Sequence, residues 1–68
     1  MVLIINGEER TFTAATLAEL IEQLGMREDR LAVELNRNII PRTQWIHTAL
    51  SQGDRLEIVQ FVGGGNAR

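Results

Sequence analysis

Apolar and polar positions alternate with different periods along this chain, and each change of period marks a new element. Val2-Leu3-Ile4-Ile5 is an unbroken apolar run rich in β-branched residues, which predicts a buried strand. Asn6-Gly7 follows. A type I′ turn needs positive φ at both central positions, and this dipeptide tolerates it, so Glu8 to Phe12 is predicted to return as the second strand of a hairpin. The period then becomes helical. Leu17, Leu20, Ile21 and Leu24 fall at i, i+3, i+4 and i+7, with Glu19, Glu22 and Gln23 on the opposite face. Thr16 is placed as the N-cap, Glu19 completes a capping box, and Gly25 suits a left-handed C-cap.

Beyond the helix the elements shorten. Met26 to Arg30 is a charged connection, Leu31 to Leu35 a third strand, and Asn36-Arg37-Asn38 a turn. Ile39-Ile40 predicts a short strand closed by Pro41, which has no N–H to give to a ladder. Between Arg42 and Leu50, the residues Trp45, Ile46 and Leu50 suggest a short helical turn packing inward. Ser51 to Asp54 is a turn, and Arg55 to Val62 the last strand. The order is ββαβ(β)β, an α+β layering in which one main helix covers one face of a small mixed sheet. Hairpin, helix and crossover back to the sheet make the β-grasp, or ubiquitin-like, arrangement. One domain is expected over residues 1–62, followed by a glycine tail over 63–68 that includes a three-residue extension.

The last strand alternates Leu56, Ile58, Gln60 and Val62 on one face with Glu57, Val59 and Phe61 on the other. With the helix over Leu56 and Ile58, Val59 and Phe61 project from the open side beside the tail. Two readings stand: a central strand apolar on both faces, or an exposed patch where a partner docks. Val59, Phe61 and Val62 are the candidate partner interface. The strand then runs into Gly63-Gly64-Gly65, and residues without side chains can thread a groove too narrow for others. A phosphate loop would need a helix after the glycines, and only Asn66-Ala67-Arg68 follow. A terminus of no consequence is the plain alternative.

Composition narrows the chemistry. With 68 residues there is room for one modest core and little room for a deep pocket lined with catalytic groups. Hydrophobic residues at 44% and charged residues at 24% are a globular balance. The net charge of −2, with both signs interspersed and no basic stripe, argues against nucleic acid. All seven cations are arginine, which excludes a lysine nucleophile or Schiff base. There is no cysteine, hence no disulfide and no side-chain thiolate. The apolar run at Val2–Ile5 is too short for a signal peptide and lacks a basic flank, no segment could span a bilayer, and a cytoplasmic protein is expected. His47 is the sole histidine and has no companion at metal-ligand spacing, so no metal site is expected. Asp54 and Glu57 lie on a turn and a strand with no cleft to raise a pKa, a weak basis for a carboxylate pair. Trp45 is read as core or lid packing.

Several segments together resemble the ThiS family of ubiquitin-like sulfur carrier proteins: Asn6-Gly7-Glu8, Ala32-Val33-Glu34 with Asn36, Ile40-Pro41-Arg42 followed by Gln44-Trp45, and Gly53-Asp54 and Glu57-Ile58-Val59 leading into the glycines. The resemblance spans residues 1–65, and Ile40-Pro41-Arg42 with Trp45 is its most distinctive part. It implies a β-grasp fold and a protein that is a substrate rather than an enzyme. It further implies that the C-terminal glycine carboxylate is activated with ATP by a ThiF-type adenylyltransferase, with no cofactor bound by the carrier. Sulfur from a persulfide-bearing donor protein then displaces AMP, and the thiocarboxylate serves a ThiG-type thiazole synthase in thiamin biosynthesis. Carried over residue by residue, Gly65 bears the reactive carboxyl, and Gly63 and Gly64 form the access arm.

One departure from the family pattern stands out: the chain continues past Gly65 with Asn66-Ala67-Arg68, and a glycine in a peptide bond has no carboxylate to adenylate. Removal of these residues by a carboxypeptidase or protease is the expectation, beside extra appended residues or a copy inactive as written. The competing functions are a related carrier for molybdopterin or for amino-acid or metabolite synthesis, a non-catalytic ubiquitin-like interaction module, and a conjugating modifier. An enzyme is the weakest, since nothing assembles a nucleophile, base and oxyanion site.

Overall fold

The first hairpin forms as its turn residues dictate. In a computed structural model of the chain, which describes residues 1–61, β1 (Val2–Ile5) and β2 (Glu8–Thr11) pair antiparallel across Asn6 and Gly7, with φ of 51° and 83°. Helix α1 spans Leu17–Leu24. Its Thr16 hydroxyl accepts from the Glu19 N–H at 3.2 Å, and the Glu19 carboxylate accepts from the Ala15 N–H at 2.7 Å. The capping box is therefore reciprocal, but its return bond lands one residue upstream of the cap. Gly25 ends the helix at φ 72°, its N–H donating to the Glu22 carbonyl at 3.0 Å.

A 3-10 turn at Glu28–Arg30 leads into β3 (Leu31–Leu35). Asn36 and Arg37, both at positive φ, turn the chain into the two-residue β4 (Asn38–Ile39). β4 thus begins one residue before the expected Ile39 and ends before Ile40, whose N–H still donates to the Val33 carbonyl of β3 at 2.9 Å. The Ile40 carbonyl accepts from the Trp45 indole N–H at 2.9 Å. A 3-10 helix, Arg42–His47, precedes the final strand β5 (Arg55–Gln60). The sheet has five strands in the order β2-β1-β5-β3-β4. β5 lies at its centre, parallel to β1 through Ile4↔Arg55 and Ile5↔Leu56, and antiparallel to β3 through five residue pairs from Leu31↔Gln60 to Leu35↔Leu56. This is the small mixed sheet with one main helix expected from the sequence. The calls on Val62, Gly63, Gly64, Gly65 and the Asn66-Ala67-Arg68 extension, with the domain boundary after residue 62, lie outside the described residues.

Alternation in the strands and the helical stripe meet in one core. Leu3 and Ile5 of β1, Val33 of β3, and Leu56 and Ile58 of β5 pack with Leu17, Leu20 and Ile21 of α1, joined by Ala14, Trp45 and Leu50. No polar or charged side chain is buried among the described residues. Leu24 is half-buried at the margin. The 3-10 helix corrects one expectation. Trp45 and Leu50 are buried, but Ile46 is 65% exposed. A 3-10 helix has three residues per turn, so residues i and i+3 share a face and adjacent side chains diverge by a third of a turn. With Trp45 turned inward, Ile46 is carried to solvent.

Two substitutions gauge this packing. Leu20→Ala, at a fully buried position, is expected to cost about 2–5 kcal/mol. Thr16→Ala, which removes only the cap, is expected to cost about 1 kcal/mol. Urea unfolding of each variant beside the parent measures both.

Candidate functional site

The strand that leads toward the glycines is covered on one face only. Leu56 and Ile58 are buried beneath α1, and strict alternation turns Glu57, Val59 and Phe61 to the other side of the sheet. Val59 is 55% and Phe61 56% exposed. Register gathers their neighbours. Val59 lies opposite Ala32, while Glu34 lies opposite both Glu57 and Ile39, which places Ile39, at 74% exposure, on the same open face. Ala32, Ile39, Val59 and Phe61 therefore lie on one open, apolar side of the sheet. Of the expected interface, Val59 and Phe61 are both exposed, and Val62 lies outside the described residues. β5 ends at Gln60, before the Phe61 that the expected strand included, and the Phe61 N–H just beyond it donates to the Arg30 carbonyl at 2.8 Å.

The surface has a charged margin. Glu34 and Glu57 face each other across β3 and β5, an arrangement of like charges that weakens a sheet. Asn36, Arg37 and Arg55 line an open depression of about 420 Å³ with them. A hollow bounded by Ala32, Glu34, Ile39, Glu57 and Val59 measures about 90 Å³, against roughly 300 Å³ or more for a small-molecule site.

The other candidate groups do not converge. Asp54 is a turn acceptor: its carboxylate takes the Ser51 N–H at 2.7 Å and the Asn36 amide N–H at 3.0 Å, and it forms no pair with Glu57. His47 is exposed at the end of the 3-10 helix. Trp45 serves the core, its indole N–H held by the Ile40 carbonyl. Among the described residues no group of three or more His, Cys, Asp and Glu side chains could hold a metal ion, and no helix is long and apolar enough to cross a membrane. Gly63, Gly64 and Gly65, the expected access arm and reactive terminus, follow the last described residue in sequence. Sequence reasoning missed Ile39 as part of the surface. The polar–apolar alternation of β3, with Glu34 outward and Val33 and Leu35 inward, carried that signal once Ile39 was paired with Glu34.

The open face is separable from the core by mutation. Val59→Thr keeps the β-branched shape and is expected to change stability by no more than about 0.5 kcal/mol. Ile58→Ala, on the buried face of the same strand, is expected to cost about 2–5 kcal/mol. Guanidinium unfolding midpoints distinguish the two.

Comparison with known proteins sets this geometry in context. The sequence model of the ThiS family matches residues 3–65. The chain is 46% identical over 67 residues to a thiazole synthase of Paramagnetospirillum magneticum, covering 97% of this chain and 21% of that protein. It thus spans about a fifth of that relative's length. It is 33% identical over 66 residues to the sulfur carrier protein ThiS of Escherichia coli K12, covering 96% of this chain and 100% of that one. Among solved structures, the crystal structure of the thiamine biosynthesis protein ThiS from Geobacter metallireducens superimposes with a TM-score of 0.80 at 32% identity, covering 96% of this chain and 100% of that chain.

Proposed function

The chain belongs to the ThiS family, and from that premise we propose that it is a sulfur carrier for thiamin biosynthesis, working as a co-substrate with Gly65 as its reactive terminus. The observation that carries the proposal is the match through residue 65, which takes in the glycines along with the fold. The chemistry explains why such a protein needs no catalytic side chains. A carboxylate is a poor acyl donor because oxide is a poor leaving group. Transfer of AMP from ATP to the Gly65 carboxylate releases pyrophosphate and gives an acyl adenylate. The terminal sulfur of a donor persulfide attacks the acyl carbon and expels AMP. A thiol reductant then cleaves the resulting acyl disulfide, leaving a thiocarboxylate on Gly65. The absence of cysteine agrees with sulfur carried on the main-chain terminus.

The partners follow from these steps: a ThiF-type adenylyltransferase, a persulfide donor and a ThiG-type thiazole synthase. The similarity to part of a longer thiazole synthase supports the last of these. Docking is assigned to the open face around Val59 and Phe61, with Val62 the next residue in sequence, so that a partner holding the strand receives the residues that follow it. Gly63 and Gly64 serve as the access arm. Asn66-Ala67-Arg68 must be removed before Gly65 can be activated.

Intact mass tests the proposal. Protein isolated from its native cells is expected to lack Asn66-Ala67-Arg68. Treatment with ATP, a ThiF-type enzyme, a persulfide donor and a thiol should add the mass of one oxygen-to-sulfur exchange at the terminus. A chain that keeps Arg68 in cells making thiamin through it would overturn the removal of Asn66-Ala67-Arg68, and a mass that never changes would sink the carrier reading. Val59→Arg is expected to raise the KM for the carrier in the adenylation assay roughly tenfold or more, the scale of a desolvated charge in an apolar contact.

A further inference from the structure

Asn6 does more than turn the hairpin. β1 stops pairing with β5 at Ile5↔Leu56, because the chain reverses at Asn6-Gly7. β5 continues beyond that point to Gln60. Over this outgoing half, β3 supports one edge through Val33↔Ile58, Ala32↔Val59 and Leu31↔Gln60. The opposite edge has lost its strand, and Asn6 fills the gap. Its backbone N–H donates to the Leu56 carbonyl at 2.9 Å. Its side-chain Oδ1 accepts from the Ile58 N–H at 2.8 Å, and its Nδ2 donates to the Ile58 carbonyl at 3.2 Å.

A primary amide carries an acceptor and a donor in one plane, the same pair that a backbone peptide offers to a neighbouring strand. The carboxamide therefore stands in for the next residue of β1 and carries the ladder one step past the point where the main chain turns away. Both bonds are partly buried and span 52 positions of sequence. Water competes less with such bonds than with exposed ones. Among the described residues, no other side chain hydrogen-bonds the backbone of Glu57 to Phe61. Asn36 is a counterpart at the strand's other end, where its Oδ1 accepts from the Arg55 N–H at 3.0 Å.

We propose that Asn6 is a positioning residue: its side chain holds the outgoing half of β5 in the sheet, and so fixes Val59 and Phe61. Its consequence for turnover rests on the carrier function proposed above. Asn6 touches no reacting atom. It acts by keeping the docking strand in its binding-competent arrangement, and any loss of that population raises the apparent KM while leaving the rate of the bound complex unchanged.

The test uses Asn6→Gly and Asn6→Asp in the full chain. Gly-Gly is itself a hairpin dipeptide, so Asn6→Gly keeps the positive φ and the backbone bond to Leu56 while deleting only the carboxamide. Asn6→Asp keeps the acceptor toward the Ile58 N–H and loses the donor toward its carbonyl. Amide exchange at Ile58 is read against amides of α1 in the same molecule, below the unfolding temperature. Adenylation kinetics are measured with whichever form of the carrier the wild-type mass assay shows to be activated, each variant being prepared in that same form. In Asn6→Gly, Ile58 is expected to exchange roughly tenfold faster relative to α1, the scale of a lost hydrogen bond. The KM for the carrier is expected to rise several-fold with kcat unchanged, and Asn6→Asp should fall between. Unchanged protection at Ile58, or lost protection with an unchanged KM, overturns the proposal. Should Asn6→Gly fail to fold, Asn6→Asp decides it by the same two readings. If the wild type is never adenylated, the carrier function fails, while exchange at Ile58 still decides whether Asn6 holds the strand.

Discussion

Everything in this fold depends on β5 being held from both sides. It is the central strand of the sheet, it supplies Leu56 and Ile58 to the core, and it is the strand from which the chain passes to Gly63-Gly64-Gly65. A sheet with a single helix on one face must leave its other face open. In most small α+β domains that open face is a polar surface. Here the central strand keeps Val59 and Phe61 on it, next to Ala32 and Ile39. One strand thus anchors the domain through its inner side and presents a surface through its outer side. The two tasks are divided by the alternation of side chains and need no additional element.

An open apolar face on so small a domain invites self-association, and charges of both signs border it. Glu34 and Glu57 stand side by side at the edge of the patch. Like charges set directly opposite on paired strands cost some stability, and Arg37 and Arg55 lie beside them. The sheet edges are guarded. β2, Glu8–Thr11, is exposed throughout and mostly charged, and β4 is two residues long. Short or charged edges are poor templates for another strand.

The features legible in the sequence were those fixed by local chemistry. Asn6-Gly7 demanded its turn, and Thr16, Glu19 and Gly25 bracketed α1 because capping acts within one turn of helix. Alternation along Arg55–Gln60 assigned Leu56 and Ile58 to the core and Val59 and Phe61 to the other face. What stayed hidden depended on distance or on a weak period. Ile46 looked like a core residue because a short apolar stretch does not reveal whether its turn is 3-10 or α. The closeness of Glu34, Glu57 and Ile39 depends on inter-strand register, which no single segment encodes. Asn6 was legible as a turn residue but not as a ligand of Ile58, since its side chain serves a strand on the far side of the sequence. Gly65 became a candidate through resemblance, because three glycines alone have no chemistry that sets them apart.

The parallel pairing of β1 with β5 joins the first strand to the last, Ile4 beside Arg55. During synthesis β1 emerges early and must wait for almost the whole domain before its central neighbour exists. Until then Leu3 and Ile5 lack the strand that completes their cover, and the sheet has a gap at its middle. Contacts this distant in sequence form late and make folding slow relative to local hairpins and helices. The glycines come after β5, so they leave the ribosome behind the segment that closes the fold. A nascent chain broken off before Arg55 has neither a finished core nor a tail, and the order of the elements ties possession of the glycines to completion of the domain that presents them.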